Sequence, residues 1–338
     1  MPADSLRLAV PSAAMQSPAR TQTLTVPKEF DGARLDVALA QLVPRLSRRR
    51  LQEHVKAGCV RVADIEVTRP NTAVAAGAVI VLTYPGAEDA PDAESMGSLT
   101  VLYEDEHLIA IDKPAGLVTH AAEAHPSGTL ADIAQVQFGP LPEVQGENRP
   151  GIVHRLDRWT SGVMLLGRTP AVLEALKKQF QERKVQKTYL AIAHGTPRFQ
   201  SEWIESRLKQ DPANRGRFII SRDEDQGRDA STFYEVRERF HGYVFLTAKP
   251  KTGRTHQIRV HLLSVGLPIV SDKTYAHRGT HRIPMPPEAP APERQALHAH
   301  RLELDHPVTG APLVIESPMP EDMATLLAWF REHMPERE

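Results

Sequence analysis

The sequence has little cysteine and no long hydrophobic run. Its one cysteine, Cys59, excludes an internal disulfide and a cysteine-cluster metal site, and it fits the reducing cytoplasm. The longest apolar run, residues 73–84, is too short to span a bilayer and contains Gly77. Residues 1–20 lack the basic start and apolar core of a secretory signal. The sequence therefore predicts a cytoplasmic protein with no membrane partner and with a disordered lead-in over residues 1–20.

Several signatures of cofactor and metal chemistry are also absent. The sequence contains no G-x-G-x-x-G, P-loop, H-E-x-x-H or G-x-S-x-G motif. His298 and His300 share one face of a predicted strand, which raises the alternative of a metal site, but no Glu or Cys supplies a third ligand at a familiar spacing. We expect neither a metal nor a nucleotide or redox cofactor. A metal hydrolase stays open as a competing function, and the metal content of purified protein would test it.

The charges divide the chain into unequal parts. The length of 338 residues is that of about two domains. Residues 20–84 contain ten Lys and Arg against six Asp and Glu, whereas residues 85–98 contain four acids and no base. The second segment is rich in Pro, Gly, Ser and Ala, as linkers are. We predict a small basic domain over residues 21–84, an acidic linker over 85–98 and a large domain over 99–338.

The small domain is predicted to contain two helices and a β-hairpin. The first helix has Leu35 and Leu39 on its apolar face, and the second, over residues 47–58, has Leu51 and Val55. Short strands are predicted at residues 60–62 and 79–82. The side chains that can lie along a phosphate backbone are Arg34, Arg48, Arg49, Arg50 and Lys56. The alternative is a solvated basic helix face with no ligand.

The large domain is predicted to be rich in strands. Apolar or alternating runs predict strands at residues 99–103, 108–112, 187–195, 233–236, 243–248 and 313–315, and a further strand after residue 160. Thr169 and Pro170 are typical of a helix start, and Leu173 and Leu176 give that helix an apolar face. Residues 284–292 are so dense in proline that they predict a surface loop.

One acid, Asp157, lies within the run GIVHRLDRWTSG at residues 151–162. Arg155 and Arg158 flank it, and apolar stretches lie on both sides of the charged triplet. This pattern predicts a loop that enters a cleft, where a carboxylate stays ionised only with cationic or hydrogen-bonding help. Such an acid suits a nucleophile or a base. The alternative is a solvated Arg–Asp pair on a surface turn.

Two further residues could act with this acid. Alternation in KTYLAIA places Tyr189 on the same strand face as two alanines, so its ring either lines a pocket and stacks on a planar ligand or packs in the core. In residues 251–272, a glycine turn followed by an alternating strand would place Ile258 and Arg259 on opposite faces. An inward arginine needs an acidic partner, and Asp157 is the natural candidate. The alternative is a basic surface strand.

Five motifs, in this order, resemble those of the RluA-type pseudouridine synthases, which isomerise uridine in structured RNA. They are DKPAGLVTH at 112–120, GIVHRLDRWTSG at 151–162, KTYLA at 187–191, TGRTHQIRVHL at 252–262 and ALHAHRLEL at 296–304. The order of helix, basic helix and strand over residues 32–84 resembles an αL-type RNA-binding domain. Two positions depart from the family pattern: Arg158-Trp159 replaces a polar pair, and Ser271 stands where glycine is usual.

The resemblance implies an α+β fold, with a mixed, mainly antiparallel sheet and flanking helices beside the small RNA-binding domain. It implies Asp157 as the catalytic aspartate, Tyr189 stacking on the target base, Arg259 pairing with Asp157, and Arg155 displacing the flipped uridine. Further substrate-binding residues that it implies are His154, Arg254, His256 and Ile258. The expected enzyme is a monomer without cofactor that acts on structured RNA, namely 23S ribosomal RNA. The alternatives are a transfer-RNA substrate, or a ribosome-assembly factor with vestigial activity.

Overall fold

A computed structural model describes residues 20–43, 48–84, 97–120, 128–143, 149–223, 225–276 and 284–336. The chain divides into two compact units, Met1–Ser95 and Met96–Glu338. Nearly all of the predicted lead-in, and residues 85–96 of the predicted linker, lie outside the described residues. None of the described helices is long and apolar enough to cross a membrane.

In its described residues, the first unit contains two α-helices and a four-stranded antiparallel sheet. Its elements are β1 (Arg20–Thr25), α1 (Leu35–Leu42), α2 (Arg48–Lys56), β2 (Val60–Val62), β3 (Ile65–Glu66) and β4 (Val79–Tyr84), and the strand order is β1-β4-β2-β3. Leu35 and Leu39 of α1 share one buried core with Leu51 and Val55 of α2 and with strand residues such as Leu82. The two predicted helices and the two predicted strands are therefore confirmed.

The second unit is built on one ten-stranded sheet. Its elements are β5 (Thr100–Glu104), β6 (Leu108–Lys113), α3 (Leu130–Phe138), β7 (Ser161–Gly167), α4 (Pro170–Gln181), β8 (Gln186–His194), β9 (Ser201–Asp211), β10 (Asn214–Ile220), β11 (Arg228–Phe240), β12 (Tyr243–Pro250), α5 (Gln257–Ser264), β13 (Leu297–Asp305), β14 (Pro312–Glu316) and α6 (Glu321–His333). The strand order is β10-β9-β11-β12-β8-β13-β7-β6-β5, and β14 pairs with β13. The α+β class is confirmed, and residues 284–292 form a loop as predicted.

The sheet changes direction where β7 meets β13. The described strand pairs are antiparallel except this one, which is parallel. Gly162 pairs with Ala299 there and has a φ of 117°, and a Cβ on Gly162 would lie 2.2 Å from the Ala299 carbonyl oxygen. Only glycine allows this approach. The junction brings the loop before β7, which carries Asp157, beside β8 and β13.

Helices cover both faces of β6 and β7. Ile109 and Met164 pack in the cluster that contains α3, whereas Leu108 and Leu165 pack in the cluster that contains α4. A strand buried on both faces has a continuous apolar sequence, which explains the unbroken run at residues 163–166. β7, which follows the Asp157 loop, is therefore held by hydrophobic clusters on both faces of the sheet.

The segment around Arg259 is a helix, so the strand predicted there is wrong. Residues 257–262 are all buried in α5, which means that core contacts surround this helix on every side. A helix buried all round has no polar stripe, so its sequence lacks the 3.6-residue signal that would have distinguished it from a strand. In a helix Ile258 and Arg259 are neighbours about 100° apart around the axis, not on opposite faces.

Candidate active site

Asp157 lies in an irregular loop just before β7, with 18% of its side chain exposed. Its own carbonyl accepts a hydrogen bond from the Thr160 amide at 3.0 Å, which closes a turn. The next carbonyl, that of Arg158, accepts from the Gly116 amide at 2.9 Å and from the Lys113 ammonium at 3.0 Å. The backbone that carries the acid is thus tied to the segment after β6.

Lys113 is fully buried, and its ammonium group makes several of the hydrogen bonds that connect these two segments. Its Nζ also donates to the carbonyls of Pro114 and Leu117, at 2.8 and 2.9 Å. Burial lowers the pKa of Lys113 to about 7, while the negative charge of Asp157 acts in the opposite direction. The sequence showed Lys113 within a motif but gave it no role, because its three acceptors are backbone atoms that leave no sequence signal.

The predicted ion pair between Asp157 and Arg259 is present. Arg259 Nη1 lies 3.1 Å from Asp157 Oδ2, while its Nε and Nη2 donate to both oxygens of Asp272 at 2.6 and 2.8 Å. Asp272 also accepts from the Thr274 and Tyr275 amides. These bonds outweigh burial and hold the pKa of Asp272 below its usual range. The guanidinium in contact with Asp157 thus belongs to Arg259, which is distant in the sequence, as predicted.

His256 approaches the same carboxylate from the start of α5. It has a left-handed backbone, φ 57°, and its Nε2 lies 3.9 Å from Asp157 Oδ2. Its Nδ1 lies 2.8 Å from the Tyr275 hydroxyl, which accepts from the Phe218 amide. Burial raises the pKa of Tyr275 to about 12, so the phenol keeps its proton at physiological pH. The hydrogen bond between this hydroxyl and Nδ1 orients the His256 ring with Nε2 toward Asp157.

Tyr189 and Ile258 complete the wall around the acid. Tyr189 is on β8 and packs partly against two hydrophobic clusters. Burial and the negative charge of Asp157 raise the pKa of its phenol, so the ring stays neutral at physiological pH. Ile258 is buried in α5. An aromatic ring and an aliphatic side chain beside a carboxylate form a slot suited to a planar, neutral base.

One cavity of about 620 Å³ is lined by Asp157, Tyr189, His256, Ile258 and Arg259. This volume is within the range of small-molecule sites. Its lining is strongly cationic: Arg149, Arg155, Lys177, Arg183, Lys187, Lys251, Arg254 and Arg259. Among the described residues that line it, Asp157 is the one carboxylate. Burial lowers the pKa of Lys187 to about 8. A cavity with this charge attracts a polyanion and offers it a single negative group.

The remaining predicted substrate-binding residues, His154 and Arg254, also line the cavity, but part of each is bound to backbone. His154 Nε2 accepts from the Leu165 amide at 3.0 Å, and its ring stacks on Phe180. Burial lowers the pKa of His154 to about 3, so it is neutral. Arg254 Nε donates to the Asp229 carbonyl at 3.0 Å. His154 therefore also anchors β7, a role that the sequence did not predict.

In the first unit, the predicted RNA-binding cations differ in their surroundings. Arg34 forms two hydrogen bonds with the buried carboxylate of Asp36, at 2.9 and 3.2 Å, and 53% of its side chain remains exposed. Lys56 is exposed on α2. The side chains of residues 48–50 lie outside the described part of the structure. Arg34 therefore has a structural partner, whereas Lys56 faces solvent.

The chain is similar to known families and proteins over most of its length. A family described as RNA pseudouridylate synthase matches residues 107–264, and the S4 domain matches residues 33–80. The chain is 40% identical over 316 residues to "Ribosomal large subunit pseudouridine synthase D" of Pseudomonas aeruginosa, covering 91% of this chain and 95% of the relative. It is 38% identical over 320 residues to the protein of the same name from Xanthomonas campestris, covering 91% and 92%.

A solved structure shares the fold. "Human RNA Pseudouridylate Synthase Domain Containing 4" superposes with a TM-score of 0.53 and 24% identity, over 70% of this chain and 95% of that chain. At this identity the likeness concerns the fold alone.

Proposed function

The chain belongs to the RNA pseudouridylate synthase family and is an RNA pseudouridine synthase, and from that premise we propose that it isomerises uridines of large-subunit ribosomal RNA with Asp157 as the catalytic carboxylate. The observation that carries the proposal is the cavity itself: one carboxyl group, in contact with Arg259, within a cationic lining. The ribosomal substrate is supported by the printed names of the relatives.

The reaction requires the base to leave the RNA stack. Enzymes that act on a base extrude it into a pocket, at a cost of a few kcal/mol. In the proposed complex the uracil lies against Tyr189 and Ile258, Arg155 fills the space that the base leaves in the RNA, and the cationic rim contacts the flanking phosphates. Neutral Tyr189 presents an uncharged face to an uncharged base, so stacking carries no electrostatic penalty.

Asp157 then acts on the everted nucleoside. The bond between ribose C1′ and N1 breaks, the uracil turns, and C1′ bonds to C5, which loses a proton while N1 gains one. The carboxylate can attack the sugar or the ring, or remove a sugar proton, and all three routes need it ionised. Arg259 lies against this carboxylate, and its two bonds to Asp272 fix the direction of the guanidinium.

We assign a phosphate-binding role to the first unit. Its S4 match, the basic balance of residues 20–84 and the exposed Lys56 support this assignment. Structured RNA is recognised largely by backbone and shape, so such a unit adds affinity away from the chemistry.

The test is Asp157→Asn assayed on unmodified large-subunit ribosomal RNA transcripts. Pseudouridine formation is mapped by carbodiimide labelling and reverse transcription, with transfer-RNA transcripts as a second substrate. We expect Asp157→Asn to reduce formation to background while RNA affinity is retained, and the exposed control Asp225→Asn to match the wild type. Full turnover by Asp157→Asn would refute the catalytic assignment, and modification of transfer RNA alone would refute the ribosomal substrate.

A further inference from the structure

Trp159 is a large aromatic side chain left exposed two residues after Asp157. Its relative exposure is 48%, and it belongs to none of the hydrophobic clusters of the described residues. One edge of the indole rests on Gly116, where an added Cβ would lie 3.2 Å from the ring. The Arg158 guanidinium lies over the ring, 5.1 Å from its centre. Trp159 is therefore seated against the protein but not packed into a core.

The backbone under this ring is held by several donors. The Arg158 carbonyl accepts from Lys113 and Gly116, as described above, and the Trp159 carbonyl accepts from Arg294 Nη1 at 3.3 Å. Arg158 Nε in turn donates to the Gly116 carbonyl at 2.9 Å. The ring and the guanidinium are thus presented in one orientation. A fixed aromatic surface stacks a ligand at a lower entropic cost than a mobile one.

The position of the ring relates it to the site. Two residues of chain span at most about 7 Å between Cα atoms, so Trp159 is within reach of a nucleotide adjacent to one held at Asp157. Trp203, the other strongly exposed tryptophan at 52%, lies far along the sheet on β9, and its ring packs at a tilt against Phe233, with ring centres 5.3 Å apart. Trp203 is thus paired with another aromatic ring, whereas Trp159 lies against Gly116 and the Arg158 guanidinium.

We propose that Trp159 and Arg158 form a stacking site for one unpaired RNA base next to the target uridine, with the guanidinium also placed to meet a phosphate. The inference rests on the proposed function, since it assumes that RNA enters the neighbouring cavity. An RNA ligand is favoured over a protein because the adjacent cavity has eight Lys and Arg and one carboxylate. Bases stack on aromatic side chains with little dependence on sequence. The site therefore selects for an unstacked nucleotide at that position.

The kinetic test compares Trp159→Leu, Trp159→Phe and the matched control Trp203→Leu on the same ribosomal RNA transcript. We expect Trp159→Leu to raise KM about tenfold, because the aromatic face is lost, and Trp159→Phe to raise it about threefold. The maximal rate should stay within about twofold of wild type in both, since Asp157 and Arg259 are untouched. Trp203→Leu should leave KM unchanged. A fall in maximal rate with unchanged KM would overturn the proposal and make Trp159 a packing residue of the loop.

A binding test keeps Trp159 in place, so it can be carried out even if Trp159→Leu or Trp159→Phe fails to fold. A protein with Trp203→Phe and Trp329→Phe keeps Trp159 as its one tryptophan. Titration with a single-stranded RNA nonamer should quench its fluorescence through base stacking. Unquenched fluorescence with bound RNA would overturn the proposal. Quenching of this single-tryptophan protein by RNA, combined with no pseudouridine formation by the wild-type enzyme, would support the stacking site while refuting the proposed function.

Discussion

At the scale of single residues, the Asp157 carboxylate is in contact with Arg259, and the position of Arg259 depends on Asp272. A guanidinium has five donors in a rigid fork, so two bonds to Asp272 leave one edge directed at Asp157. Burial of Arg259 and Asp272 makes the arrangement costly to disturb, because an uncompensated buried charge is strongly destabilising. Asp272 is thus a positioning residue for the catalytic pair.

Asp272→Asn should weaken both the fold and the chemistry. Both oxygens of Asp272 accept N–H donors, so either orientation of an asparagine amide places NH₂ against another donor. We expect the free energy of unfolding to fall by about 3 kcal/mol and single-turnover pseudouridine formation to fall about tenfold or more. Urea denaturation and a rapid-mixing assay measure the two effects.

The pH dependence gives Asp272→Asn an internal control. The pKa of Asp272 is lowered in the folded state, so its stabilisation is present at neutral pH and is lost as the pH falls through the acidic range. The stabilities of wild type and variant should therefore converge on acidification. Because the carboxyl of the unfolded chain titrates near pH 4, a difference that stays constant below about pH 4 would show that the ionised carboxylate is not the source of the effect.

At the scale of secondary structure, the elements with a clear sequence signal were predicted and the exceptions share a cause. Thr169 caps α4, with its hydroxyl accepting from the Val172 amide, and Pro170 occupies the first turn, as the sequence predicted. Helix α5 was predicted as a strand because it is buried on all sides. The parallel junction of β7 and β13 joins segments about 137 residues apart, and no local pattern signals such a pairing.

The residues of the candidate site also fall into those that the sequence predicted and those that it did not. The Asp157–Arg259 pair was predictable because a buried charge needs a partner, and few inward charges were available. Lys113, Asp272 and Tyr275 were not predicted. Lys113 acts through backbone carbonyls, Tyr275 through the His256 ring and the Phe218 amide, and Asp272 through an arginine already assigned to Asp157. What identifies these three is a spatial arrangement that the sequence does not express.

Gly162→Ala tests whether the parallel junction determines the fold of the second unit. A methyl group would lie 2.2 Å from the Ala299 carbonyl oxygen, so β7 and β13 would have to separate. We expect destabilisation of about 3 kcal/mol or more, beyond the usual cost of overpacking. Gly266→Ala is the matched control, because Gly266 has a φ of 79° but no atom within 4 Å of an added Cβ. It should lose only about 1 kcal/mol, from backbone strain. Equal losses in the two variants would mean that the junction tolerates a wider spacing.

At the scale of the whole molecule, buried neutral histidines make the second unit sensitive to acid. Burial lowers the pKa of His261 to about 4 and that of His298 to about 4, both below the ordinary value. The unfolded chain therefore binds protons first as the pH falls below 6.5, and stability declines until about pH 4. Each histidine should contribute a loss of about 2 kcal/mol between pH 7 and pH 5.

His261→Gln isolates one of these contributions. The His261 ring lies between the hydroxyls of Ser206 and Thr232, at 3.0 and 2.9 Å, and a glutamine amide can bond to hydroxyls there. The variant should lose about 2 kcal/mol less than wild type between pH 7 and pH 5. Tryptophan fluorescence during urea unfolding follows this unit alone, since all three tryptophans lie in Met96–Glu338. A loss equal to that of wild type, or to that of the surface control His241→Gln, would contradict the assignment.

We expect the first unit to contribute RNA affinity and the second unit to perform the reaction. The salt dependence of RNA binding can distinguish the two contributions. Each phosphate neutralised by a cation adds about 0.7–0.9 to the slope of log affinity against log salt concentration. If Lys56 and its basic neighbours contact about three phosphates, removal of residues 1–95 should lower that slope by about 2–3 and weaken binding to ribosomal RNA.

The rate of pseudouridine formation on a short RNA that reaches only the cavity should be unchanged in this fragment, because Asp157, Arg259 and Tyr189 all lie in Met96–Glu338. Lys56→Gln in the full chain provides a milder change that leaves the core of the first unit intact, because Lys56 is exposed, and it should lower the slope by about one contact. An unchanged affinity and slope in both proteins would show that the first unit does not bind the phosphate backbone, whereas a lost rate in the fragment would mean that the chemistry depends on both units.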